Sequence, residues 1–160
     1  MARTWERALG WMACAVSVGL LVVALVASRV EAAAGLQVTN ASVTLPTVPG
    51  RPGAGYLTLT GGPATLTSVA SPLATRIEMH SSSMAGGVMS MDKLPAVMIR
   101  AGTPVRFAPG GNHLMIFGLP ASVKPGSTVP LLLKFKDGQT IRVEARAVAP
   151  GQAMEMHEGH

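Results

Sequence analysis

Beyond residue 34 the chain has no stretch with the 3.6-residue apolar period of an amphipathic helix. Short β-prone segments alternate instead with glycine and proline turns, which restricts the chain to an all-β fold. Residues 36–45 read as a first strand or pair, and 46–55 (PTVPGRPGAG) as a loop. Residues 56–60 (YLTLT) alternate like a half-buried strand that Gly61-Gly62-Pro63 ends. Further strands are expected at 66–69, 97–99, 105–107 and 113–117, and residues 76–91 turn back through Gly86-Gly87. The clearest hairpin joins 129–136 to 140–148 through Asp137-Gly138, a favoured turn dipeptide. Many short strands at close spacing predict a two-layer antiparallel sandwich or Greek-key barrel.

The ends follow other rules. Residues 1–34 carry two early arginines, Arg3 and Arg7, then an apolar run from about Ala8 to Ala27 and Ala32-Ala33-Ala34 before Gly35. That is the layout of a signal peptide. The run is close to the ~20 residues that span a bilayer, so an uncleaved anchor is the alternative. Both place residues 35–149 outside the cytoplasm, as one domain large enough to bury a core. From Pro150 no strand signal remains, and 150–160 reads as a flexible Met/His-rich tail.

Cys14, the sole cysteine, lies inside the apolar run, where WMACAV makes a poor lipoprotein signal. A cleaved chain would have no thiol for a disulfide, a nucleophile or a metal. The net charge of +5 is mild and its basic residues are scattered, which gives nucleic-acid binding no support.

The histidines carry the functional signal. Of four, His80 and His113 lie in the domain and His157 and His160 in the tail, and most methionines sit close to one of them. Alternate side chains of a strand share a face, so His113 and Met115 aim one way and Leu114 and Ile116 the other. If Gly86-Gly87 is a two-residue turn, Ser82 faces Met91 and His80 faces Lys93. His80 and Met91 are then diagonal neighbours on one face, ~7–8 Å apart. Taken singly, Met84, Met89 and Met98 read as packing residues, because methionine commonly fills gaps in cores.

Two imidazoles and two thioethers form a soft, uncharged ligand set, which selects copper(I) among biological metals. Zinc would recruit cysteine or carboxylate and calcium a set of oxygens, whereas acidic residues near the cluster are few (Glu78, Asp92). In the tail, Met154, Met156, His157 and His160 form a secondary candidate, where the two imidazoles, with Glu155 and Glu158 beside them, offer nitrogen and oxygen donors suited to copper(II).

His80 is followed after ten residues by Met91, that after twenty-one by His113, and that after one by Met115. This gapped spacing resembles the signature of the periplasmic copper chaperones of the PCu(A)C type. The stretches GYLTLT, GGVMSM, PGGNHLMIFGL and GSTVPLLLKF are similar too, over most of residues 36–148. The resemblance implies that His80, Met91, His113 and Met115 are the copper(I) ligands, on a cupredoxin-like Greek-key β-sandwich. It also implies delivery of copper to the copper centres of cytochrome oxidase, with a copper-accepting oxidase subunit or a thiol-bearing assembly protein as partner. One departure is Ser81, where the family often has a methionine; here Met79 precedes the histidine instead.

The expected protein is therefore a periplasmic or otherwise extracytoplasmic monomer that binds metal without turnover. It has no nucleic-acid partner, and a membrane contact only if the N-terminal segment is retained. A copper storage or resistance protein without an oxidase partner is the alternative. A blue-copper electron carrier needs a cysteine thiolate, which the cleaved chain lacks. No nucleophile–histidine–acid arrangement or carboxylate pair supports an enzyme. An extracellular β-sandwich used for adhesion, with incidental methionines, is a further alternative, which a copper titration separates from a carrier.

Overall fold

The computed structural model describes residues 35–152. The expected export segment, with Cys14, and the tail residues Met154, Met156, His157 and His160 lie outside the described residues. The strands are β1 (Gln37–Thr44), β2 (Gly53–Thr60), β3 (Ala64–Ala70), β4 (Arg76–Ala85), β5 (Val88–Lys93), β6 (Val97–Ile99), β7 (Val105–Phe107), β8 (Asn112–Phe117), β9 (Thr128–Phe135) and β10 (Thr140–Val148). Every element so placed among the described residues is a strand, and turns and loops make up nearly all the rest.

Strand β2 begins earlier than its composition suggests. Gly53 and Gly55, expected in a loop, are buried strand residues. Their lack of a side chain answers a steric need. A Cβ at Gly53 would stand 2.7 Å from the Thr44 carbonyl oxygen, and one at Gly55 3.0 Å from the Cβ of Leu114. Glycine lets β2 press against β1 and β8.

All these strands join one hydrogen-bonded sheet in the order β5-β4-β8-β7-β2-β1-β10-β9-β3-β6. The sequence predicted a wholly antiparallel sandwich or Greek-key barrel; the structure joins the strands in one ladder and corrects the pairing at two joints, β1–β10 and β7–β8, which are parallel. In the first, Ser42 pairs with Arg146 and Thr44 with Val148. That pairing links residues far apart in the chain and leaves no local signature.

The inner face encloses one hydrophobic core. Alternation along β9 sends Val129, Leu131, Leu133 and Phe135 inward. Leu57 and Leu59 of β2, Leu66 of β3, Met79 of β4, Ile99 of β6, Phe107 of β7 and Leu114 and Ile116 of β8 meet them there. Each aliphatic side chain fully buried contributes ~1.5–3 kcal/mol. Because Met79 and Leu114 face inward as a register pair, their neighbours His80 and His113 must face outward.

Candidate metal centre

Three adjacent strands at one edge of the sheet carry the candidate ligands. Gly86 and Gly87, at φ 59° and 78°, supply the two left-handed residues of a tight turn between β4 and β5. The turn sets the pairs His80–Lys93, Ser82–Met91 and Met84–Met89, which is the register derived from the sequence. On the other side of β4, His80 pairs with His113 and Glu78 with Met115. Register partners share a face, as do residues two apart. His80, Met91, His113 and Met115 therefore lie on one outer face, opposite the core.

His80 and His113 are the closest of the four in register. Their ring centroids are 6.0 Å apart with planes inclined at 29°. The His80 side chain is only 13% exposed and His113 is partly buried, whereas Met91 is 50% exposed. The cluster is thus screened at its base and open on the β5 side.

Hydrogen bonds prepare the two rings differently. His113 Nδ1 lies 3.0 Å from the Gly111 carbonyl oxygen, so Nδ1–H donates and Nε2 keeps its lone pair. His80 Nε2 lies 3.1 Å from Glu78 Oε2. If Nε2–H donates there, the lone pair stands on Nδ1, which is buried and has no hydrogen-bond partner among the described residues. A buried nitrogen without a partner is costly in a protein and well suited to a cation.

Glu78 escaped the sequence reading as a functional residue, although it stands two residues before His80 on the same face. It is the charge hub of the site. Oε1 lies 3.0 Å from Lys93 Nζ and 3.2 Å from Arg76 Nε. Hydrogen bonds from His80 and then Lys93, helped by the charges of Lys93 and Arg76, hold its carboxyl at about 2, well below the ordinary 4.5. Arg76 is fixed in turn over the Phe117 ring, 4.0 Å from its centroid.

The remaining methionines divide. Met79 is core. Met84, Met89 and Met98 are 66%, 63% and 65% exposed, so the packing role expected of them is corrected. Among the described residues, no three His, Cys, Asp or Glu side chains gather closely enough to hold a metal.

The LpqE-like family model ("Putative lipoprotein LpqE-like") matches residues 36–147. The chain belongs to the LpqE-like family. This LpqE-like chain is 29% identical over 99 residues to "Putative lipoprotein Lxx21020" of Leifsonia xyli subsp. xyli (strain CTCB07). The match spans 61% of the chain and only 60% of that relative's length. Among solved structures, copper(I)-bound DR1885 from Deinococcus radiodurans is 30% identical, with a TM-score of 0.58 over 77% of this chain and 85% of that one. The copper-bound PCuAC domain from PmoF2 is 19% identical and shares the fold, with a TM-score of 0.60 over 74% of this chain and 97% of its own. The LpqE-like chain thus has the PCuAC fold, in accord with the resemblance carried by its His and Met spacing.

Proposed function

We propose that the protein is an extracytoplasmic copper(I) chaperone whose ligands are His80, Met91, His113 and Met115. The observation that carries this is the common outer face of those four side chains, drawn from β4, β5 and β8. The copper-bound state of DR1885 and of the PmoF2 domain supports the choice of metal. The donor set supports it independently, since neutral imidazole and thioether compensate a soft monovalent ion better than a divalent one.

Release follows from the same geometry. Met91 is half-exposed on an edge strand, so an incoming donor can replace it while the two histidines still hold the ion. A cupredoxin-like frame keeps the histidines fixed, and the exchange needs no turnover chemistry. The acceptor we propose is a copper centre of cytochrome oxidase or a thiol-bearing assembly protein, in the periplasm or its equivalent. The lipoprotein names of the family and of its relative support a place outside the cytoplasm.

The test is copper stoichiometry under reducing conditions, with X-ray absorption to count the neighbours of the ion. Two nitrogen and two sulfur scatterers are expected. His113→Ala should weaken copper(I) binding far more than Met98→Ala, because Met98 lies on β6, at the opposite edge of the sheet, paired with Thr65 of β3. Equal effects of the two substitutions refute the ligand set.

A further inference from the structure

The hairpin of β4 and β5 projects two more methionines on the face that carries the site. Met84 pairs directly with Met89, one step further out than the pair Ser82–Met91. The Leu94 N–H donates to the Met79 carbonyl at 2.8 Å. Since antiparallel pairs alternate, that bond makes Met84–Met89 a non-hydrogen-bonded pair, the closer kind, with backbones ~4.5 Å apart. Met91 lies two residues along from Met89, ~7 Å away. Three thioethers therefore line the way from the turn to His80.

Packing does not explain them, because every residue of β5 is exposed. An edge strand in water ordinarily carries charge on its open faces. Here Met84, Met89 and Met91 all stand on one face, the one shared with the histidines, beside Ser82 and Lys93. Ser81, Ser83, Ser90 and Asp92 occupy the other, with Ser83 Oγ and Ser90 Oγ 2.8 Å apart. The serine bond and the Gly86-Gly87 turn hold the register that keeps the methionines in line.

We infer that Met84 and Met89 form a second, weaker site for a soft monovalent cation, copper(I) or silver(I), from which the ion passes through Met91 into the His80–His113 site. The inference rests on the carrier function proposed above. Two thioethers bind such an ion without adding charge and exchange readily with a third. Transfer is ligand substitution: a Met91 bond forms as a Met84 or Met89 bond breaks, with no change of oxidation state. Imidazole replaces the remaining thioether at the next step.

The experiment titrates the full chain with silver(I), a redox-inert probe, while the ε-methyl groups of 13C-labelled methionine are followed by NMR. The first equivalent should shift the Met91 and Met115 methyls, and the second those of Met84 and Met89. In the Met84→Leu/Met89→Leu variant the first set of shifts should remain and tight binding of the second equivalent on the hairpin should be lost; Met98→Leu should change neither. If Met84 and Met89 stay unmoved through two equivalents, or if only Met154 and Met156 of the tail respond to the second, the proposal is overturned. If Met84 and Met89 respond while Met91 and Met115 do not, the methionine pair stands and the main-site assignment falls.

Discussion

Residue scale. That His80 shares a face with Met91 was legible from strand parity and a two-residue turn at Gly86-Gly87, but its charge environment was not. The partner that orients it stands two residues earlier, and a scan for histidine and methionine passes over a glutamate. Parity would have found Glu78 had it been applied to every polar side chain near the cluster. Because Glu78 accepts from His80 Nε2, Glu78→Gln should weaken copper(I) binding about ten- to a hundred-fold, the usual cost of losing a group that orients a ligand. Competition with a copper(I) chelator measures it, and unchanged affinity would remove Glu78 from the site. Its depressed pKa also fixes the sign of a pH effect. The folded value of about 2 lies below the ordinary 4.5, so the ionised group stabilises the fold fully above the unfolded value. That contribution fades as pH falls from 4.5 toward 2. Urea midpoints of the metal-free protein should therefore drop less between pH 6 and pH 2.5 in Glu78→Gln than in the parent.

Element scale. The two-residue turn at Gly86-Gly87 was readable because a dipeptide of adjacent glycines between β-prone runs has few other uses. The start of β2 was not. The same residue type that marks a turn also marks a place where two backbones approach closely, and Gly53 and Gly55 serve the second purpose. Only the neighbouring strand distinguishes the cases. A valine at position 55 would press on the Cβ of Leu114 and on Ile116 Cδ1, 3.0 and 3.1 Å from the ideal Cβ. Both are fully buried and cannot swing aside. Gly55→Val should cost ~1–3 kcal/mol, the range for overpacked cores. It should also weaken metal binding, since Leu114 and Ile116 alternate with His113 and Met115 on β8. Thermal melting and chelator competition on one sample report both effects, and loss of stability with affinity intact would show that β8 yields without moving its outer face.

Molecule scale. The all-β class was legible from the missing helical period, whereas the joining of the strands into one continuous sheet was not, because the β1–β10 joint depends on residues at opposite ends of the domain. This topology leaves β5 at an edge with β4 as its only ladder partner among the described residues. Such a strand opens locally at a cost well below that of global unfolding. A metal ion held by His80, Met91, His113 and Met115 would tie β5 to β4 and β8. Copper(I) loading should therefore slow amide exchange in Val88–Lys93 beyond any general stabilisation, which at a free concentration one hundredfold above Kd is ~2.7 kcal/mol. Strands β9 and β10, paired with each other along seven register positions, should follow only the general effect. With Met91→Leu, β5 should lose its extra protection while β9 and β10 keep theirs as long as the histidines still bind. If loading protects every strand alike, Met91 does not hold the ion, and the edge hairpin has no part in carrying it.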